Sequence, residues 1–273
     1  MALWMMVAAA VGCAEPVQIS KQRLITAMRH AILESVAAEK SAVLATTDEE
    51  SQSLARETQR FAADVDRLRG ELRKRVVADG RPQEIEKLDA FDAAWAEVES
   101  VDQRLLALAV ANTNLKAAQL SARDGARAVD RLVDGLAELQ RTTADPETIR
   151  TLGRASVAAL RVQSLVLVHI PAANDEEMTR LEQQMRGLND EVARALVTVR
   201  ESGQLSQEQL AAVSQAWRDY GRVVADVLAL SRENTNVLSF DVSIHEKRHA
   251  TKDCLAALEA LSAAVSSGTE ATR

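Results

Sequence analysis

Apolar residues recur at three- and four-residue spacings along nearly the whole chain, the period of an amphipathic helix. A first helix is expected over about 18–45. Thr47-Asp48-Glu49-Glu50 then reads as a capping box, with Thr47 accepting from an amide of the next turn and Glu50 reaching back. A second helix follows over about 48–77 and stops at Asp79-Gly80-Arg81-Pro82. The third carries Phe91, Trp95, Val98, Val101, Leu105, Leu108, Asn112 and Leu115, a 3-4 seam that packs one face along its whole length. A fourth is expected over about 123–140. Thr142-Thr143-Ala144-Asp145-Pro146 punctuates the chain, with Asp145 as cap and Pro146 at the first helical position.

The pattern then repeats. Leu88, Trp95, Leu105, Leu108, Asn112, Thr113, Asn114 and Leu115 are answered 122 positions later by Leu210, Trp217, Val227, Leu230, Asn234, Thr235, Asn236 and Val237. Upstream, Leu54, Phe61, Asp64, Val65 and Leu72 match Leu181, Leu188, Glu191, Val192 and Val199 at an offset of 127. The caps repeat too, as Asn174-Asp175-Glu176-Glu177 and Ser206-Gln207-Glu208-Gln209. A period this long exceeds any solenoid unit, so each copy should be a small domain. The expected fold is all-α: two tandem up-down-up-down four-helix bundles, the first over 16–143 and the second over 144–273. A neighbouring alternative is six helices making two stacked bundles, but the two similar quartets favour tandem units.

Composition agrees with long helices. Of 273 residues 47% are hydrophobic and only 3% aromatic, with 4 Pro and 10 Gly. The net charge is −7, with acidic and basic residues interleaved, which argues against a nucleic-acid partner.

Residues 1–15 form a separate apolar segment. Met1 to Val11 is an uninterrupted apolar run, and Ala10-Val11-Gly12-Cys13 resembles a bacterial lipobox that would make Cys13 a lipidation site. The alternative is the stub of a transmembrane helix. Cys254 stands where the first copy has Leu132 and is expected to be a small buried hydrophobe.

Few residues invite chemistry. His245-Glu246-Lys247-Arg248-His249 matches the zincin pattern letter for letter, but Lys and Arg occupy its interior and the first copy has Arg123 and Arg127 at the histidine positions. His30 and His169 each sit alone. There is no glycine-rich phosphate loop, nucleophile elbow or CxxC pair, so neither enzyme activity nor a cofactor is expected. Asn112 and Asn234 are the more informative positions. Each interrupts an apolar seam, either to fix helix register or to anchor a ligand between helices. If register is the whole role, Asn112→Leu should leave stability unchanged or raise it. Trp95 and Trp217 share that seam and complete the set of candidate ligand-binding residues.

The run from Glu39 to Glu50, the segment Phe91 to Trp95 and the segment Ala107 to Asn114 together resemble the four-helix-bundle sensor domain of bacterial methyl-accepting chemotaxis receptors. The second copy keeps Asp175-Glu176-Glu177, Gln215-Ala216-Trp217 and Glu233-Asn234-Thr235-Asn236. The resemblance implies an extracytoplasmic module that binds a small molecule or a binding protein and often pairs as a homodimer. The family's HAMP linker and methylated signalling hairpin have no counterpart in this sequence. The expectation is therefore an envelope-tethered sensory bundle, anchored by Cys13, whose signal a partner receptor relays. A structural or protein-interaction bundle is the alternative.

Overall fold

The structure is a computed structural model that describes residues 14–270. It is all-α, and among the described residues there is no strand. Two long helices come first, α1 (Ala14–Leu44) and α2 (Asp48–Asp79), followed by a long broken run. That run is α3 (Pro82–Ala111), α4 (Thr113–Leu120), a π-helical turn at Ser121–Gly125 and α5 (Ala126–Arg141). The second half repeats the plan: α6 (Pro146–His169), α7 (Asp175–Glu201), then α8 (Gln207–Glu233), α9 (Thr235–Val242), a π turn at Ser243–Lys247 and α10 (Arg248–Glu270).

Local chemistry sets the boundaries where the sequence places them. Thr47 Oγ1 accepts from the Glu50 amide at 3.1 Å, while Glu50 reaches past the cap to the Thr46 amide, also at 3.1 Å. Asn174 and Ser206 cap α7 and α8 by accepting from the amides of Glu177 and Gln209. Asp145 caps α6 through Thr148, with Pro146 at the first helical position. α2 ends on Gly80 at φ 64°, the left-handed conformation that glycine adopts without cost.

The partition into bundles differs from the expected one. The chain forms two compact units: one takes residues up to Ala111 and again from Ser239, the other takes Asn112–Leu238. The boundary expected between 143 and 144 therefore falls inside the second unit. The core of unit 1 comes from α1, α2 and α3, with Cys254, Leu258, Leu261 and Val265 of α10. The core of unit 2 comes from α4 and α5, with Leu132 and Leu136, packed on α6, α7 and α8. Each unit is a four-helix bundle, but the fourth helix of each comes from the other copy of the repeat. The cause is the break in each long run. A continuous apolar seam shows that a helix packs along its length, but not that both halves pack on the same neighbours.

Within unit 1, Cys254 is fully buried, and burial pushes its thiol up to about 12. It is the small hydrophobe that alignment with Leu132 implies. Cys13 and the lipobox around it lie outside the described residues.

Candidate functional site

Asn112 and Asn234 break the two long helical runs. Both adopt left-handed backbone, at φ 51° and 52°, and among the described residues they are the two non-glycine positions with positive φ. Asparagine enters this region more readily than other side chains with a Cβ, because its short amide bonds locally. A break of this kind leaves the first amides of the restarting helix without intrahelical partners. In unit 2 those amides are satisfied reciprocally. The Thr113 amide donates to Thr235 Oγ1 at 3.0 Å and the Thr235 amide to Thr113 Oγ1 at 3.2 Å. The Asn114 amide donates to Asn236 Oδ1 and the Asn236 amide to Asn114 Oδ1, both at 3.1 Å.

The side-chain amides close the same ring. Asn114 Nδ2 donates to Asn234 Oδ1 at 2.8 Å, and Asn236 Nδ2 to Asn112 Oδ1 at 2.9 Å. The clasp is tied to the end of α6, where the carbonyls of Ile170 and Ala172 accept from Asn114 and Asn234 at 2.6 and 3.2 Å. Nearly every donor in this buried cluster is spent. Asn112 Nδ2 is the exception: it is buried and has no hydrogen-bond partner. Left-handed backbone at Asn112 also reverses the expectation for Asn112→Leu, because a leucine there would be strained by about 1–2 kcal/mol.

Both π turns carry a second polar cluster at one repeat position, with different chemistry in each unit. A π turn inserts one residue into the helical ladder and re-aims the side chains around it, and such turns are frequent at functional sites. In unit 2, Gln163 Nε2 donates to Ser121 Oγ and Tyr220 donates to Gln163 Oε1, each at 3.1 Å. Burial holds the Tyr220 hydroxyl well above its ordinary range. In unit 1, Lys247 replaces the equivalent Gly125. It is 1% exposed and donates to Asp102 Oδ2 at 2.5 Å. Glu39 lies in the same core, fully buried. Its pKa is raised by burial, with Ser243 and the Lys247 ammonium opposing. Burial raises Asp102 as well, with Lys247 opposing.

His169, expected to stand alone, belongs to a four-residue array in unit 2. Its Nδ1 lies 2.8 Å from Ser231 Oγ and its Nε2 3.1 Å from Glu182 Oε1, while Arg232 Nε donates to the same Glu182 oxygen at 2.7 Å. Burial lowers the His169 pKa, and the Arg232 guanidinium holds Glu182 below the usual carboxylate range. A neutral ring that donates from Nε2 to Glu182 leaves Nδ1 to accept the Ser231 hydroxyl. The order Ser–His–Glu resembles a catalytic triad, but Ser231 is 0% exposed and its oxygen cannot meet a substrate. The first copy has Ala42, Ala55 and Ala109 at the matching positions, so the array belongs to unit 2 alone. The repeat alignment could have found it, since a histidine, a glutamate and a serine replacing three alanines stand out.

The remaining candidates are distributed between the two cores. Trp95 is fully buried in unit 1 and donates from Nε1 to Asp66 at 3.0 Å. Trp217 is partly buried against the core of unit 2, with its ring centroid 6.0 Å from that of Tyr220. The zincin-like stretch is spread around a π turn: His245 is exposed and bonds Asp241, Glu246 pairs with Arg104, and Lys247 points into the core. Among the described residues, no group of three or more His, Cys, Asp or Glu is placed to hold a metal.

The fold has a solved counterpart. The crystal structure of the sensor domain of the V. parahaemolyticus histidine kinase TorS matches with a TM-score of 0.61 at 11% sequence identity, over 93% of this chain and 99% of that one. The likeness over nearly the whole of both chains gives this protein the fold of a helical sensor domain. No family model matches the sequence. No curated protein matches it either.

Proposed function

We propose that this protein is an extracytoplasmic sensory module that binds a small molecule or a binding protein and relays occupancy through its broken helices. The carrying observation is the Asn–Thr–Asn clasp. Two helices are interrupted at matched points, and the amides freed there are held by reciprocal bonds between the two restarting helices. A fold shared with a histidine kinase sensor domain supports the reading. So does the economy of the device. Buried hydrogen bonds contribute about 1 kcal/mol each, so a ligand with a modest preference for one arrangement of the clasp can shift it.

Asn112 is the contact we assign to that ligand, reached only when the clasp opens, because its amide nitrogen is buried and lacks a protein partner. Asn234 supports it from the opposite half of the clasp. Trp95 and Trp217 are the aromatic candidates for sensing altered packing within their own units. The signal passes to a partner receptor, and the protein is held at the envelope by lipidation of Cys13, in the manner of a chemoreceptor-like sensor. Cys13→Ser should move the protein from the membrane fraction to the soluble one, and a wild-type chain already soluble would contradict the anchor.

The test of sensing is a thermal-shift screen of the full chain against organic acids, amino acids, aromatics and metal ions. A ligand at 100 times its dissociation constant adds about 2.7 kcal/mol to the unit that binds it. A specific shift, lost in Asn112→Ala, is the predicted result. A flat panel on the folded protein would favour a structural or protein-interaction bundle.

A further inference from the structure

The outer face of α6 carries an apolar seam that the fold does not need. Val157, Leu160, Leu167 and Val168 are 47–57% exposed and Ile149 is 37% exposed. With Gly153 and Ser164 they follow the four- and three-residue steps of a helix-packing seam. The inner face of the same helix is already committed to the unit 2 core through Leu152, Ala155, Ala159, Val162 and Val166. The helix is thus apolar on two sides, which accounts for its having the length and composition of a membrane span. The first copy acts as an internal control. At the offset of 127, α1 has Gln22, His30, Lys40 and Ser41 in place of Ile149, Val157, Leu167 and Val168, and only Leu33 stays apolar. One bundle folds with that face polar, so the seam on the other answers to something else.

The rim says what that is. Exposed Arg150, Arg154 and Arg161 line a shallow groove of about 490 Å³ beside the seam, and Arg194 of α7 lies with Arg154 in an adjoining one. Glu191, 3.5 Å from Arg154, is the acidic residue lining the grooves, and Glu147 pairs with Arg150 at their edge, so the four arginines outnumber two acids. The first copy lacks this rim in part too, with Ala27 and Glu34 where Arg154 and Arg161 stand. A second copy of this chain would set the same arginines against themselves. We infer that the outer face of α6 docks an amphipathic helix of another protein, with an apolar 3-4 seam and acidic residues flanking it.

The inference stands apart from ligand sensing and is tested without a ligand. The probe is a synthetic three-heptad helical peptide with leucine and isoleucine at its seam and glutamate at the flanking positions. A lysine-flanked version is the control, and both are titrated against the full-length protein. The acidic peptide should bind at least tenfold more tightly. Leu160→Asp with Leu167→Asp should abolish that binding while leaving the helical circular dichroism unchanged, since both side chains are exposed. Arg154→Glu with Arg161→Glu should reverse the preference between peptides. Equal binding of both peptides, or of neither, would overturn the inference. So would a dimer in sedimentation that Leu160→Asp dissociates, or anionic vesicles that bind through the same residues.

Discussion

Two buried titratable residues, Glu39 in unit 1 and His169 in unit 2, give the molecule pH responses of opposite sign. Burial raises the Glu39 carboxyl above its ordinary 4.5, so the folded state holds that proton more tightly than the unfolded chain does. Its contribution is complete below about pH 4.5 and is lost as pH rises through the raised folded value. Glu39→Gln should therefore be more stable than wild type at neutral pH and flatter above pH 4.5 in chemical denaturation. His169 is lowered below its ordinary 6.5 by burial, so its contribution is complete above that pH and is lost as pH falls. His169→Gln should remove the acid-side loss, and an unchanged profile would show that His169 does not titrate on unfolding. At Asn234 the backbone and the amide separate cleanly. Asn234→Gly keeps the left-handed conformation and loses only the bonds to Asn114 and Ala172, at a cost of about 1–3 kcal/mol. Asn234→Leu adds about 1–2 kcal/mol of strain to that.

The elements show what a periodic pattern carries and what it hides. Helix starts at Thr47, Asp145, Asn174 and Ser206 are legible because one side chain and one amide three residues on decide each of them. The break at Asn112 is not legible as a break. An asparagine inside an apolar seam reads as a register device, since left-handed backbone has no periodic signature. The π turns are hidden for the same reason: one inserted residue shifts the seam by less than the scatter of its spacing. That shift nevertheless turns Lys247 inward, where the charges of the zincin-like stretch read as a solvated face. Removing one partner of the buried Lys247–Asp102 pair leaves the other uncompensated beside Glu39. Lys247→Met should cost about 3–5 kcal/mol in urea unfolding. Adding Asp102→Leu should recover most of that, and a cheap single variant would show that water reaches the cluster.

At the scale of the whole molecule, the duplication is legible and the partner choice is not. Matched seams at offsets of 122 and 127 are accompanied by the same order of helices and π turns in the two halves. They are silent on which copy completes which core, because α5 and α10 present equivalent apolar faces: Leu132 and Leu136 in one, Cys254 and Leu258 in the other. The chain solves this by sending each broken helix onward, so neither repeat copy folds as a closed bundle. A fragment ending at residue 143 should accordingly fail to unfold cooperatively, whereas independent tandem bundles would give it a sharp transition. The clasp belongs to this scale, since its two halves lie 122 residues apart in the chain and each caps the other's helix. Its response is the central claim. The most direct measurement is amide hydrogen exchange at Thr113, Asn114, Thr235 and Asn236, with and without the first compound that raises the melting temperature. The account predicts that binding changes protection at these four amides together. A compound that binds tightly while leaving all four unchanged would contradict it.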